Sequence, residues 1–309
     1  MWHLLFAICY ACLVCNAQTE GVAQKRARRV PVVAVPAIRA DIGLVEIPVT
    51  VTGPFGQPVS GLSRDAFRVY EDGVEQELKH VSFRDSEISL GIVFDASKSM
   101  ASRLDESRAA MKHVFQDSIP GDEFLLVEFN DTARMVCDFT PQAEDIESAA
   151  KTVTPRNWTA LYDAVYLAIQ QMKRAHNPRR ALLILSDGGD NNSRYTESEM
   201  RNLVREGGVT IYAVGVLPGG FLNSHERFLR RLAEETGGTF ESAERLKDLG
   251  AAVEKVSRAI RSQYVLSYVS NNPKIDGHYR KVKVTLKPVP EHPPLRAAWK
   301  EGYYSIPPR

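Results

Sequence analysis

Leu90-Gly91-Ile92-Val93-Phe94-Asp95-Ala96-Ser97-Lys98-Ser99-Met100 decides how the rest of the chain is read. An unbroken apolar run ends in one carboxylate and two hydroxyls, each separated by a single residue. A run that is apolar on both faces fits a central parallel strand covered by helices, and open α/β sheets place their ligand sites just beyond the carboxyl ends of such strands. Asp95, Ser97 and Ser99 stand at that position. Their oxygens are a poor set for zinc, which favours Cys and His, and a suitable one for Mg²⁺ or Mn²⁺. The same residues also suit a polar turn that caps a helix, so this stretch alone leaves both readings open.

Two more stretches repeat the arrangement. Asn157-Trp158-Thr159-Ala160-Leu161-Tyr162-Asp163-Ala164 is a polar loop feeding a helix with Leu161, Val165, Ile169 and Met172 on one face. Leu182-Leu183-Ile184-Leu185-Ser186-Asp187-Gly188-Gly189-Asp190 is a second buried strand ending in a carboxylate. Thr159 is also a candidate helix cap, and Asp187 a turn former ahead of two glycines. Asp190, Asn191 and Asn192 do not make a calcium loop, because neither a Gly at the sixth position nor a Glu at the twelfth follows Asp187.

Taken together, the D-x-S-x-S loop, the Thr that opens a helix and the strand ending in Ser-Asp-Gly resemble the metal-ion-dependent adhesion site of the von Willebrand factor type A family. The resemblance covers roughly residues 87–262 and implies a doubly wound, mostly parallel α/β sheet. It further implies that Ser97, Ser99 and Thr159 bind the ion directly, whereas Asp95 and Asp187 orient waters. A first shell of neutral hydroxyls leaves a dication under-neutralised, so an Asp or Glu from a protein partner can complete the octahedron. The family usually has Gly where this chain has Lys98. A side chain turned outward there would steer an acidic partner instead of opposing the ion. Lys98, Trp158, Asn191 and Tyr195 flank the three loops without an evident core role, and they are expected to form the partner-binding rim. On this reading Asp95→Ala abolishes metal binding and spares the fold, because an exposed ligand at a strand end contributes little packing.

The surrounding sequence supplies context. The 309 residues, 44% hydrophobic and 25% charged with a net charge of +1, describe a globular protein and argue against a dedicated nucleic-acid binder. Residues 1–17 are apolar, too short to span a bilayer, and end in Cys15-Asn16-Ala17. They read as a secretory signal peptide cut before Gln18, which leaves no transmembrane segment in the mature chain and implies export to the periplasm or beyond. A lipid anchor through Cys15 fits less well, since Val14 is bulkier than the small residue normally found there. With Cys9, Cys12 and Cys15 in that segment, Cys137 stands alone as a small buried hydrophobe. Residues 18–41, with the basic cluster Lys25-Arg26-Ala27-Arg28-Arg29, read as a linker.

Residues 42–86 and 263–309 alternate with period two. Val45, Ile47, Val49 and Val51 lie on one face, Asp72-Gly73 turns a hairpin between residues 67–70 and 74–81, and Val282, Val284 and Leu286 share a face later in the chain. Each block is too small for its own core. The two are therefore expected to pair into one β-sandwich interrupted by a domain at 87–262. Between them strand and helix signals alternate, and the short link from Asn130 to Arg134 suggests one antiparallel edge strand. Val59-Ser60-Gly61-Leu62, Tyr70-Glu71-Asp72-Gly73, Gln263-Tyr264-Val265-Leu266, Asp276-Gly277-His278-Tyr279-Arg280-Lys281 and Glu301-Gly302-Tyr303-Tyr304 extend the resemblance to the type A-related proteins abundant in acidobacteria.

No G-x-S-x-G elbow, P-loop, G-x-G-x-x-G or H-E-x-x-H is present, so no catalytic residue is assigned. The expected function is metal-dependent, adhesion-type protein binding. The alternatives are a structural scaffold with a vestigial metal site and a metal-assisted hydrolase.

Overall fold

The computed structural model describes residues 44–83, 87–216, 224–290 and 292–305, all within one compact unit. The signal peptide, linker and basic cluster read from the first 41 residues lie outside the described residues.

Alternation from Val45 onward produces β1 (Leu44–Thr52), which buries Ile47, Val49 and Val51 completely. After it come β2 (Phe67–Glu71) and β3 (Val74–Gln76), joined by Asp72 and Gly73 at φ 49° and 87°. Two successive positive φ values are what a tight primed hairpin turn needs, and Gly73 adopts one without strain. The arm read as residues 74–81 is in fact two strands. Gln76 and Leu78 are both buried around the exposed Glu77, and there the chain passes from β3 to β4 (Leu78–Phe83), which belongs to a different sheet.

The central block runs β5 (Ile88–Asp95), α1 (Leu104–Phe115), β6 (Glu123–Phe129), β7 (Ala133–Thr140), α2 (Ala143–Thr152), α3 (Leu161–Met172), β8 (Arg179–Ser186), α4 (Glu197–Gly207), β9 (Thr210–Val216), α5 (Ser224–Glu234), β10 (Phe240–Ala243) and α6 (Leu249–Arg261). Its six strands lie in the order β10-β9-β8-β5-β6-β7, all parallel except β7, which runs antiparallel to β6 at the edge. All eight residues of β5 are buried. Ile88, Leu90, Ile92 and Phe94 enter the core shared with Met111, Val114, Val253 and Val256, whereas Val93 enters the opposite core with Leu161, Val165, Met200 and Leu229. Helices thus cover both faces, as the apolar run required.

Gly91 is small for a packing reason: a Cβ there would sit 2.6 Å from Leu182 Cδ2 and 2.7 Å from Met172 Cε. The edge strand β10 has four residues and follows Gly237-Gly238, so local pattern gave no sign of it. Cys137 is free and half-buried on β7, packed against one core, and burial raises its thiol pKa. No described helix is long and apolar enough to cross a membrane.

The chain then returns to strands: β11 (Gln263–Val269), β12 (Tyr279–Leu286), β13 (Arg296–Trp299) and β14 (Gly302–Tyr304). These complete two four-stranded sheets with early strands, β13-β1-β11-β4 and β14-β12-β2-β3, antiparallel throughout. Ile47, Val51, Val69, Tyr264, Leu266, Tyr268, Val282 and Val284 form one core between them. A buried ion pair ties the late motifs to an early one. Glu71 accepts from Tyr268 at 2.9 Å, Tyr303 at 2.8 Å, Ser270 at 2.5 Å and Arg280 at 3.2 Å. Burial pushes the Glu71 carboxyl upward, but these four donors outweigh it and hold the pKa below the ordinary value.

Candidate metal centre

The sheet reverses its winding around β5, which has β6 on one side and β8 on the other, so loops at its carboxyl end are left uncovered. Asp95 closes β5 there, but it is not exposed: its relative accessibility is 0%. Its Oδ1 accepts from the Ser97 N–H at 2.8 Å, and its Oδ2 from the Ser186 hydroxyl at 2.6 Å. Ser186 Oγ in turn accepts from the Gly188 N–H at 2.9 Å. The expectation that Asp95 contributes little packing is therefore corrected: neighbouring strands and two loops enclose it. Burial, followed by the negative charge of Asp187, pushes the Asp95 carboxyl up to about 6, against hydrogen bonds from Ser186 and Ser97 that pull it down.

The first loop curls so that the Ser97 and Ser99 hydroxyls lie 3.0 Å apart, Ser97 buried and Ser99 exposed. The second loop is tied to the first by the Arg156 N–H on Ala96 O at 2.9 Å, and to the end of β6 by the Ala160 N–H on Asn130 O at 2.9 Å. Thr159 belongs to this loop and is 6% exposed. Ala160, not Thr159, occupies the cap position of α3, and it makes no side-chain cap bond. The simple capping account of Thr159 thus does not hold. The third loop meets the second through Thr159, whose carbonyl accepts from the Asn191 and Asn192 N–H groups at 3.0 and 3.1 Å and whose N–H donates to Asn191 Oδ1 at 2.9 Å. Asp187 is half-buried and holds the Gly189 N–H at 3.2 Å. Gly188 between them has φ +80°, and a Cβ there would lie 2.8 Å from the His225 carbonyl oxygen.

These residues suit a hard dication. The donor set is hydroxyl and carboxylate oxygen, and burial together with the charge of Asp187 makes Asp95 costly to ionise, a penalty that a cation offsets. Among the described residues no group of three or more His, Cys, Asp or Glu side chains could hold a metal, so the thiolate and imidazole sets typical of zinc do not arise there.

Around the mouth, Lys98 is exposed and Trp158 is 54% exposed. Two rim residues have structural duties the sequence did not suggest. Asn191 clasps Thr159, and Tyr195 stacks on Tyr166 with ring centroids 3.9 Å apart. Other residues that shape the site went unassigned. Asp131 accepts from the Trp158 N–H at 2.8 Å. Asp163 accepts from the Arg194 and Tyr195 N–H groups at 2.9 and 3.1 Å, fixing the third loop against α3. Asp190 Oδ1 is buried without a hydrogen-bond partner, and burial raises that carboxyl's pKa. An Asp two residues into a helix that follows a polar loop was the available signal for Asp163; nothing local marked Asp131.

Comparison with known proteins places this geometry. The family model for the von Willebrand factor type A domain matches residues 90–256. Inter-alpha-trypsin inhibitor heavy chain H4 of Sus scrofa is 26% identical over 194 residues, covering 58% of this chain and 21% of that protein. Its counterpart in Bos taurus is 24% identical over 200 residues, so the chain spans about a fifth of the length of these relatives. Among solved structures, proximal thread matrix protein 1 from the mussel byssus superposes with a TM-score of 0.51 at 22% identity, covering 62% of this chain and 49% of that one. A form of that protein with a zinc-occupied MIDAS motif gives 0.50 at 22% identity, over 60% and 47% of the two chains. The von Willebrand factor type A protein from Catenulispora acidiphila gives 0.51 at 12% identity, over 84% and 74%. With more than half of its length matched by the family model, the chain belongs to the von Willebrand factor type A domain family.

Proposed function

We propose that the chain is an exported, metal-dependent protein-binding module that captures an Asp or Glu of a protein partner. One observation carries the reading: three loops from separate parts of the chain converge at one end of the sheet, bringing a paired hydroxyl, Ser97 with Ser99, to a buried carboxylate, Asp95, that feels the charge of Asp187. Ser97, Ser99 and Thr159 would hold the ion, with Asp95 and Asp187 orienting its waters. A bound Mg²⁺ or Mn²⁺ supplies a hard Lewis-acid centre with a position open to a carboxylate oxygen. The zinc-occupied MIDAS motif of the mussel protein supports divalent-ion binding at a site of this type.

Recognition would then fall to the rim. Trp158 offers apolar area beside the site, a common hot-spot type, and Lys98 offers an exposed positive charge that steers an acidic surface. Asn191 and Tyr195 fix the third side. Export rests on the apolar first 17 residues.

The test is a pull-down from the native envelope fraction with and without EDTA. A partner retained in Mg²⁺ and lost in EDTA supports the reading. Alanine substitution of the critical partner carboxylate should then cost about 2 to 5 kcal/mol of binding. A partner that stays bound in EDTA, or one on which no single carboxylate matters, would place the interface elsewhere.

A further inference from the structure

We propose that the cleft where the C-terminal ends of α3 and α4 meet the Lys300–Tyr304 segment binds a small ligand with an oxyanion group, phosphate, sulfate or carboxylate, on an apolar body. This is separate from the metal centre. Arg180 stands at the start of β8, and Ser186 and Asp187 at its far end.

The cleft encloses about 690 Å³ and is lined by Lys173, Arg180, Arg205, Lys300, Tyr303 and Tyr304, with Leu203 and Glu206 completing the wall. A smaller cleft of about 280 Å³ is also lined by Arg180 and Lys300, with Glu46 in its wall. Four cations therefore face one carboxylate in the main cleft, and none of the four is in an ion pair with another described residue. Arg205 reaches only Asn202 Oδ1 at 3.5 Å, and Arg180 Nη2 only the Ala175 carbonyl at 3.5 Å. Arg180 Nε is buried without a partner. By contrast Arg174, Arg201 and Arg230, on the neighbouring helices or just past one, each pair with a carboxylate.

A bland account exists for two of the four. Lys173 and Arg205 lie at helix C-terminal ends, where the helix dipole favours cations without any ligand. It does not extend to Lys300, which lies between β13 and β14 and whose ammonium donates to no side chain or carbonyl and has no carboxylate within ion-pairing distance among the described residues. Burial lowers the pKa of its ammonium below the ordinary lysine value. An unpaired, partly desolvated cation is costly, and a bound oxyanion would satisfy it through charge-assisted hydrogen bonds. The rest of the wall explains the apolar body. The Tyr303 hydroxyl is already committed to Glu71, and the Tyr304 ring packs edge-on against Tyr279 at 5.1 Å, so Tyr303, Tyr304 and Leu203 offer mainly carbon surface.

The probes are phenyl phosphate, inorganic phosphate and phenol, each titrated by calorimetry into the full chain and into Lys300→Met and Arg205→Gln. Phenyl phosphate should bind at one site, more tightly than inorganic phosphate, and phenol should not bind measurably. Lys300→Met should weaken phenyl phosphate by at least about tenfold, and Arg205→Gln by a smaller factor. Without ligand, the Lys300→Met protein should melt no lower than wild type, because the substitution removes an unpaired charge. Failure of phenyl phosphate to saturate below about 10 mM, or unchanged affinity in both variants, would overturn the site. Equal affinity for inorganic and phenyl phosphate would overturn the apolar wall.

Discussion

Replacing Asp95 by Asn removes a charge from a fully enclosed position of the candidate metal centre and keeps the side chain's shape. Asp95 is 0% exposed, and burial followed by the charge of Asp187 raises its pKa from the ordinary 3.8 to about 6. In the metal-free protein the folded state therefore holds this proton over a pH range in which the unfolded state has released it. Stability is fully present below about pH 4 and falls as pH rises through about 6. The difference amounts to roughly 3 kcal/mol at neutral pH. Asn avoids that loss and still accepts from the Ser97 N–H, but its amide faces the Ser186 hydroxyl that Asp95 accepts from, at about 0.5 to 1.5 kcal/mol. Asp95→Asn should thus be more stable than wild type by about 1.5 to 2.5 kcal/mol at pH 7.5 in EDTA. At pH 4 the advantage should vanish. Urea denaturation of both proteins at the two pH values reads the effect, and the difference between them cancels other titrating groups. If the two proteins lose stability in parallel between pH 4 and 7.5, the charge on Asp95 is not costly and the electrostatic account of the site fails.

Three further outcomes follow from the packing and the rim. Gly91→Ala should destabilise by about 1 to 3 kcal/mol in urea melts, because its Cβ meets Leu182 and Met172 on a strand with no free face; unchanged stability would show that those side chains yield easily. Arg280→Met should cost about 3 to 5 kcal/mol by leaving Glu71 charged inside the sandwich, and adding Glu71→Gln should recover part of it; a second substitution that only adds damage would argue against an ion pair that matters. Trp158→Ala should leave the melting temperature within a degree or two and weaken partner binding, whereas Lys98→Ala should mainly slow association in a salt-sensitive way, both readable by surface plasmon resonance.

Much of this was legible because the decisive signals are local. The apolar run of β5 is buried on both faces, the alternation of β1 and β12 marks half-buried strands, and Asp72-Gly73 takes the turn its residues favour. Features that escaped depend on distant partners. The passage from β3 to β4 at Glu77 is set by which sheet each strand joins, and β10 exists because β9 offers it an edge. At the site, residue types and order pointed to Asp95, Ser97, Ser99, Thr159 and Asp187. The enclosure of Asp95 depends on Ser186, 91 residues away, and Trp158 is held by Asp131, 27 residues away. Spacing along the chain carries no trace of either bond. Asn191 and Tyr195 looked like free loop residues for the same reason.

The central claim is that the three loops hold a hard divalent ion, and calorimetric titration of Mg²⁺ into chelator-stripped protein tests it most directly, with Asp95→Asn as the paired control. The account predicts one saturable site in wild type and its loss in a variant that remains folded. No Mg²⁺ binding by wild type, or equal binding by Asp95→Asn, would contradict it.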